Sequence, residues 1–135
     1  HMLVYFGYTF CPDVCPTELQ SVTVALNDMG KTADEITPVF VTIDPERDDV
    51  AAVRQYIGFF HPRLVGLTGT AAQVQTITAA FGVFYARARD TGETSDYLMD
   101  HSSLIFLMDE DGQYVTHVRT GTSPEVMARL LTDAL

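Results

Sequence analysis

The order of strand-like and helix-like patterns constrains the fold of this chain more than any other feature. An apolar strand pattern over residues 3–7 leads into a helical pattern, and a second strand pattern follows over residues 37–43. Parallel strands need a helical crossover between them, so this order predicts a parallel βαβ unit. Further strand patterns cover residues 83–89, 103–108 and 113–119, with a short apolar segment at 64–67 and a polar loop at 90–96.

Capping signals indicate where the helices begin. Thr17-Glu18-Leu19-Gln20 reads as a capping box that opens the first helix, and Thr70 with Gln73 reads as another. Ser123-Pro124 predicts an N-cap with proline at the first helical position. A second helix should place one apolar face inward and stop at the His-Pro pair of residues 61–62; the residues of that face are Val50, Val53, Ile57 and Phe60. In the last helix, Val126, Leu130 and Leu131 are the predicted apolar positions.

A βαβ unit followed by a hairpin and a helix is the thioredoxin-like arrangement. We therefore predict an α/β protein with a central mixed β-sheet flanked by helices, forming a single domain over residues 1–135. The composition fits, since 47% of the residues are hydrophobic. A net charge of −10 disfavours nucleic acid as a partner, and no apolar run approaches the roughly 20 residues that span a bilayer. We expect His1-Met2 to be a cloning scar.

The two cysteines of the chain lie where the first strand gives way to the first helix. Cys11 and Cys15 are four residues apart, a spacing that suits a disulfide or the chelation of one metal ion. A neighbouring helix N-terminus favours thiolates, which are nucleophiles and soft ligands for Cu(I) and Zn(II). The alternatives are a structural disulfide or two buried small side chains. Two thiolates make an incomplete metal site, so a third ligand is needed.

His101 is the candidate third ligand. It precedes the strand pattern of residues 103–108, in a loop that should lie against the cysteine turn of a thioredoxin-like sheet. Thioredoxins carry a cis-proline at that approach, and its absence here favours ligand binding over disulfide exchange. Asp13 and Asp100 either orient His101 and attract a cationic partner or are solvated loop carboxylates. Of the other histidines, His61 reads as a helix stop and His117 as a solvent-facing strand residue.

A charged run follows the second strand. Asp44 and Asp48 bracket Arg47, and we expect them to pair locally and to cap the next helix. Tyr8 and Phe10 either shield the thiols from water or belong to the core. Met99 is a weak candidate for an accessory sulfur ligand, because the chain's five methionines are scattered.

Four motifs resemble the Sco/SenC family, and the likeness covers nearly the whole chain. They are Gly-Tyr-Thr-Phe-Cys-Pro-Asp-Val-Cys-Pro-Thr (residues 7–17), Asp-Pro-Glu-Arg-Asp (44–48), Gly-Leu-Thr-Gly (66–69) and Asp-His-Ser (100–102). The resemblance implies a thioredoxin-like fold and a copper chaperone that acts in assembly of the dinuclear copper centre of cytochrome c oxidase subunit II. It also implies a copper site formed by Cys11, Cys15 and His101, for Cu(I) and, with a further ligand, Cu(II).

The main alternative is a thiol–disulfide oxidoreductase. In that case Cys11 and Cys15 form a redox pair that reduces partner cysteines or senses redox state. Loss of His101 discriminates the two, since it should abolish tight copper binding and leave disulfide exchange largely intact. A peroxidase is disfavoured because Thr9 lies only two residues before Cys11, and a closed zinc site needs four ligands. A metallochaperone needs no turnover chemistry, so we expect no enzyme.

The resemblance also implies a setting for the parent protein. Family members carry a membrane anchor and an N-terminal β-hairpin that this chain lacks, so we expect a membrane-anchored parent. The implied location is the periplasmic side of the bacterial inner membrane, or the mitochondrial inner membrane facing the intermembrane space. Partners would include other copper-handling or thiol-redox proteins. We expect a monomer, with a domain-swapped or paired dimer as the alternative for this shortened chain.

Overall fold

Seven strands and four helices lie in the part of the chain that the structure describes. The computed structural model describes residues 1–10, 14–83, 85–87, 99–101 and 104–135. The strands are β1 (Met2–Gly7), β2 (Thr37–Thr42), β3 (Val65–Leu67), β4 (Tyr85–Arg87), β5 (Met99–His101), β6 (Leu104–Met108) and β7 (Tyr114–Arg119). The helices are α1 (Val14–Met29), α2 (Val50–Ile57), α3 (Ala71–Phe81) and α4 (Pro124–Ala134), and a 3₁₀ helix covers Gly30–Glu35.

The central sheet has five strands in the order β3-β2-β1-β6-β7. Strands β1, β2 and β3 are parallel, whereas β6 runs antiparallel to both β1 and β7. The carboxyl ends of β1, β2, β3 and β7 therefore meet the amino end of β6 at one end of the sheet, which we call the carboxyl end. This topology confirms the predicted mixed sheet of a thioredoxin-like α/β fold.

The core is centred on the two inner parallel strands. Every residue of β1 and β2 after the first is buried, as expected for strands covered on both faces. The ring of Phe6 in β1 packs edge-on against Phe81 of α3, with centroids 5.1 Å apart, and against Phe106 of β6 at 6.2 Å. These contacts join the parallel and antiparallel halves of the sheet. None of the helices in the described residues is long and apolar enough to cross a membrane.

The start of the first helix differs from the prediction. Helix α1 begins at Val14, so Thr17 lies inside the helix and the predicted capping box there is wrong. Pro16 is compatible with this earlier start, because a proline in the first turn removes no intrahelical hydrogen bond. The capping box of Thr70 and Gln73 and the N-cap at Ser123 are confirmed.

Two predicted apolar faces are only partly correct. Asp49 caps α2, and Val50 is 61% exposed because it lies at the outer start of this eight-residue helix. Val53 is buried against Gly66 of β3, where a Cβ atom would lie only 2.4 Å from its Cγ1. In α4, Met127 and Leu131 are the fully buried side chains. Val126 and Leu130 were also predicted to face inward, but they are 40% and 46% exposed. Each lies one position before a buried residue and therefore on a different side of the helix.

Candidate metal centre

Cys15 lies at the carboxyl end of the sheet, in the first turn of α1, and its side chain is fully buried. Its sulfur packs directly over Gly7, the last residue of β1. A Cβ atom at Gly7 would lie 2.9 Å from Cys15 Sγ and 3.1 Å from the Phe40 ring. The backbone of Gly7 is itself fixed, because its carbonyl accepts a hydrogen bond of 2.8 Å from Ile43 N. A side chain larger than hydrogen at residue 7 would therefore displace the sulfur.

The other two predicted ligands fall wholly or partly outside the described residues. Cys11, together with Asp13, lies outside them. The backbone of His101 forms part of β5, opposite Tyr85 of β4, and its side chain lies outside the described part. His101 was expected in a loop, so this element is a correction. Its strand is defined by pairing with β4 rather than by any apolar alternation of its own.

The topology nevertheless limits how far His101 lies from the carboxyl end. Strand β6 begins at Leu104, and Ile105 pairs with Tyr5, two residues before Gly7. The amino end of β6 therefore lies beside the carboxyl end of β1. Three residues of extended chain span at most about 11 Å, so the Cα atom of His101 is within that distance of Leu104.

A buried carboxylate ties the start of the β1–α1 connection to the neighbouring strand. Asp48 is fully buried and accepts hydrogen bonds from Thr9 N at 3.0 Å and from Thr9 Oγ1 at 2.5 Å. A third bond comes from Thr42 Oγ1 at 2.6 Å. The expectation that Asp48 caps the next helix is wrong, since Asp49 accepts the bond from Ala52 N. Asp48 instead holds Thr9, two residues before Cys11.

Arg47 holds the two aromatic residues on either side of Thr9. Its guanidinium forms the expected ion pair with Asp44, and its central carbon lies 4.3 Å from the centroid of the Phe10 ring. The Tyr8 ring centroid is 5.8 Å away. Tyr8 is buried and belongs to the core, whereas Phe10 is 46% exposed and presents its ring at the surface.

His61 and His117 both form hydrogen bonds within the fold. His61 is buried, its Nδ1 accepts a hydrogen bond from Arg63 N, and its backbone N–H donates to Thr23 Oγ1. Burial, and to a smaller extent the charge of Arg63, lowers the pKa of this imidazole. Helix α2 ends before it, so His61 is a loop residue rather than the helix stop. His117 is exposed on β7, as predicted, and bonds Tyr114 Oη through Nδ1.

Glu18, predicted to belong to a capping box, is instead a buried carboxyl. It is 3% exposed, and its Oε1 accepts a 2.6 Å hydrogen bond from Gly121 N, in the turn between β7 and α4. Its Oε2 has no hydrogen-bond partner among the described residues. Burial raises the pKa of the Glu18 carboxyl, and the Gly121 N–H opposes part of that rise. The sequence indicated this position through spacing, because Glu18 lies three residues after Cys15 and so shares one helix face with it.

Asp48 was singled out by the sequence, but its role was missed. Its partners are 39 and 6 residues away, at Thr9 and Thr42.

Within the described ranges, no group of three or more histidine, cysteine, aspartate or glutamate residues is arranged to hold a metal ion.

Comparison with known proteins identifies relatives across the whole chain. The SCO1/SenC family model matches residues 1–135. A SCO2-like protein of Rickettsia conorii is 43% identical over 131 residues, which are 97% of this chain and 64% of the relative. The mitochondrial SCO2 homolog of Danio rerio is 45% identical over 118 residues, covering 86% of this chain and 42% of that protein. The chain thus spans less than two thirds of the length of these relatives.

Solved structures agree with the fold. Bradyrhizobium japonicum ScoI with copper bound is 40% identical with a TM-score of 0.87, covering 99% of this chain and 84% of that one. Arabidopsis thaliana ScoI with copper bound is 33% identical with a TM-score of 0.91, covering 98% and 82%. The match of sequence and fold over the full chain shows that this protein belongs to the SCO1/SenC family.

Proposed function

We propose that this protein is a copper metallochaperone that delivers copper to the dinuclear copper centre of cytochrome c oxidase subunit II during its assembly. The observation that carries the proposal is the family match over residues 1–135, together with 33–40% identity to Sco proteins whose structures contain copper. Copper is the cargo of such a protein. Transfer would proceed by ligand exchange with cysteines of the recipient, so the protein would not act as an enzyme.

The proposed copper ligands are Cys11, Cys15 and His101. Two thiolates and one imidazole form a soft, three-coordinate set suited to Cu(I), and a water or carboxylate would complete a site for Cu(II). The position of Cys15 in the first turn of α1 supports the proposal, because the positive end of a helix favours a thiolate. The short connection from β5 to β6 supports it further, since it keeps His101 near the same end of the sheet.

Copper handling is favoured over thiol–disulfide exchange by the relatives. The two solved relatives described above contain copper. Copper binding would require both thiols to be reduced and deprotonated, so the affinity should rise with pH and vanish on oxidation. A disulfide between Cys11 and Cys15 would then empty the site, which makes redox state a control on the chaperone.

The cellular setting is proposed from the two relatives found by sequence, a rickettsial protein and a mitochondrial one. We infer a location on the periplasmic side of a bacterial inner membrane, with a membrane-anchored parent protein. The equivalent place in mitochondria is the inner membrane, facing the intermembrane space. We infer that residues 1–135 form one domain and act as a monomer.

An anaerobic Cu(I) titration against a chromophoric chelator tests the proposed function. We expect the reduced protein to bind one equivalent of Cu(I) tightly. In His101→Ala we expect the affinity to fall at least 100-fold, because losing a residue that only orients a metal ligand already costs up to about 100-fold. His117→Ala is the matched control, because it removes an exposed imidazole from β7 and should leave the affinity unchanged. Equal affinities in the two variants would remove His101 from the ligand set. No copper binding while the cysteines still exchange disulfides would instead indicate an oxidoreductase.

A further inference from the structure

The three residues that precede Cys11 all contact one turn. This turn, formed by residues 44–48 and called the 44–48 turn below, connects β2 to α2. It is closed by backbone hydrogen bonds to Asp44 O, from Asp48 N at 2.9 Å and Arg47 N at 3.2 Å. Asp44 N also donates to Thr42 Oγ1 at 3.0 Å, which fixes the turn to the end of β2. These hydrogen bonds therefore fix the turn in place at the carboxyl end of the sheet.

Asp48 binds Thr9 through two hydrogen bonds. Its Oδ2 accepts from Thr9 N while its Oδ1 accepts from Thr9 Oγ1. Two bonds to one residue fix the orientation of the backbone as well as its position. Because the carboxylate is fully buried, its charge is compensated by these donors and by Thr42, and losing one of them is costly. The chain is thus held in one direction two residues before Cys11.

Arg47 grips the next residue, Phe10. The guanidinium lies over the Phe10 ring at 4.3 Å, a distance at which a cation and an aromatic face attract each other. Its ion pair with Asp44 fixes the guanidinium on the turn. A half-exposed ring that would otherwise be free to rotate is therefore stacked on the turn, immediately before Cys11.

We propose that the 44–48 turn is the positioning element of the metal centre, with Asp48 acting through Thr9 and Arg47 acting through Phe10 to direct the chain toward Cys11. The inference rests on the proposed function for its copper readout, and it adds a role for the Asp-Pro-Glu-Arg-Asp motif. Cys15 is fixed separately by Gly7 and α1. The turn thus fixes Thr9 and Phe10, from which the chain continues to Cys11.

Hydroxyl-deletion variants separate positioning from stability. Thr9→Val is isosteric and removes the Oγ1 donor to Asp48, and Thr9→Ser retains that donor as the rescue variant. The matched control is Thr68→Val, which removes another short hydroxyl bond to the same residue, from Thr68 Oγ1 to Asp48 O at 2.5 Å. The control bond does not involve Thr9. Urea unfolding of each variant identifies the fraction that is folded.

Two readouts are used, one with copper and one without. The first is Cu(I) affinity by chelator competition. The second is the equilibrium of the copper-free thiols with glutathione, in which protein dithiol and one glutathione disulfide give protein disulfide and two reduced glutathiones. We expect Thr9→Val to lower Cu(I) affinity about tenfold, as for other residues that orient metal ligands. The glutathione equilibrium should shift as well, while Thr9→Ser and Thr68→Val stay close to wild type.

Equal readouts for folded Thr9→Val and Thr68→Val would overturn the positioning role. If the wild type binds no copper through its cysteines but Thr9→Val still shifts the glutathione equilibrium, the proposed function fails and the positioning role stands. Should Thr9→Val not fold, Arg47→Lys provides the test, because lysine keeps the charge beside Asp44 but lacks the flat group that stacks on Phe10. A wild-type glutathione equilibrium and copper affinity in Arg47→Lys would then contradict the proposal.

Discussion

The two ends of the central sheet are built differently. At the carboxyl end, polar side chains are buried to 3% exposure or less; they are Glu18, Thr42, Asp44 and Asp48. At the opposite end, β6 and β7 are joined by the turn that contains Gly112. There Asp109 Oδ1 accepts bonds from Asp111 N at 2.9 Å and Gln113 N at 2.8 Å, both exposed to solvent.

The two ends therefore differ in where their carboxylates lie, buried at the carboxyl end and in contact with solvent at the hairpin. Burying a carboxylate away from water costs free energy unless donors surround it, so a sheet that needed only stability would avoid it. The hairpin shows that this chain closes a turn with solvated groups alone. The buried carboxylates are retained at the end that carries Cys15, where they hold the connections between strands and helices in fixed positions.

The same substitution at the two ends should have the largest contrast in stability. Asp48→Ala leaves the buried hydroxyl of Thr42 and both Thr9 donors without their acceptor, so we expect a loss of about 3 to 5 kcal/mol in the free energy of unfolding. Asp109→Ala frees two donors that water can reach, and we expect a loss of about 1 kcal/mol or less. Urea unfolding at pH 7 measures both losses.

Similar losses for Asp48→Ala and Asp109→Ala would remove the distinction between the two ends. Asp48→Asn is the intermediate case, since it keeps one side-chain oxygen as an acceptor and loses the charge. Its stability should fall between those of the wild type and Asp48→Ala.

A smaller effect is expected in the pH dependence of stability at Glu18. Burial raises the pKa of this carboxyl above its ordinary value of 4.5, so the folded state holds the proton more tightly than the unfolded state. Its contribution to stability is therefore complete below pH 4.5 and is lost as the pH rises through the raised pKa. Glu18→Gln stays neutral and keeps an oxygen to accept from Gly121 N. We expect the variant to gain stability relative to wild type as the pH rises from 4 to 7.

Urea unfolding of the wild type and Glu18→Gln at a series of pH values measures this difference. Asp109→Asn is the control at the opposite end of the sheet, where the carboxylate stays in contact with solvent. A stability difference between wild type and Glu18→Gln that does not change with pH would show that the Glu18 carboxyl titrates alike in the folded and unfolded states.

The fold could be read from the sequence to the extent that local patterns determine it. The buried runs of β1 and β2 and the capping box at Thr70 are encoded by neighbouring residues. Strand β5 was missed because it depends on pairing with β4. The roles of Asp48 and Glu18 were missed because their partners are distant, at Thr9, 39 residues away, and at Gly121, 103 residues away.

X-ray absorption of the Cu(I)-loaded protein, beside Cys15→Ser, tests most directly whether the carboxyl end holds the copper. We expect the extended fine structure of the wild type to show two sulfur neighbours and one imidazole nitrogen, and that of Cys15→Ser to show one sulfur fewer. An unchanged number of sulfur neighbours in Cys15→Ser, or a wild-type spectrum without an imidazole, would contradict a copper site formed by Cys11, Cys15 and His101.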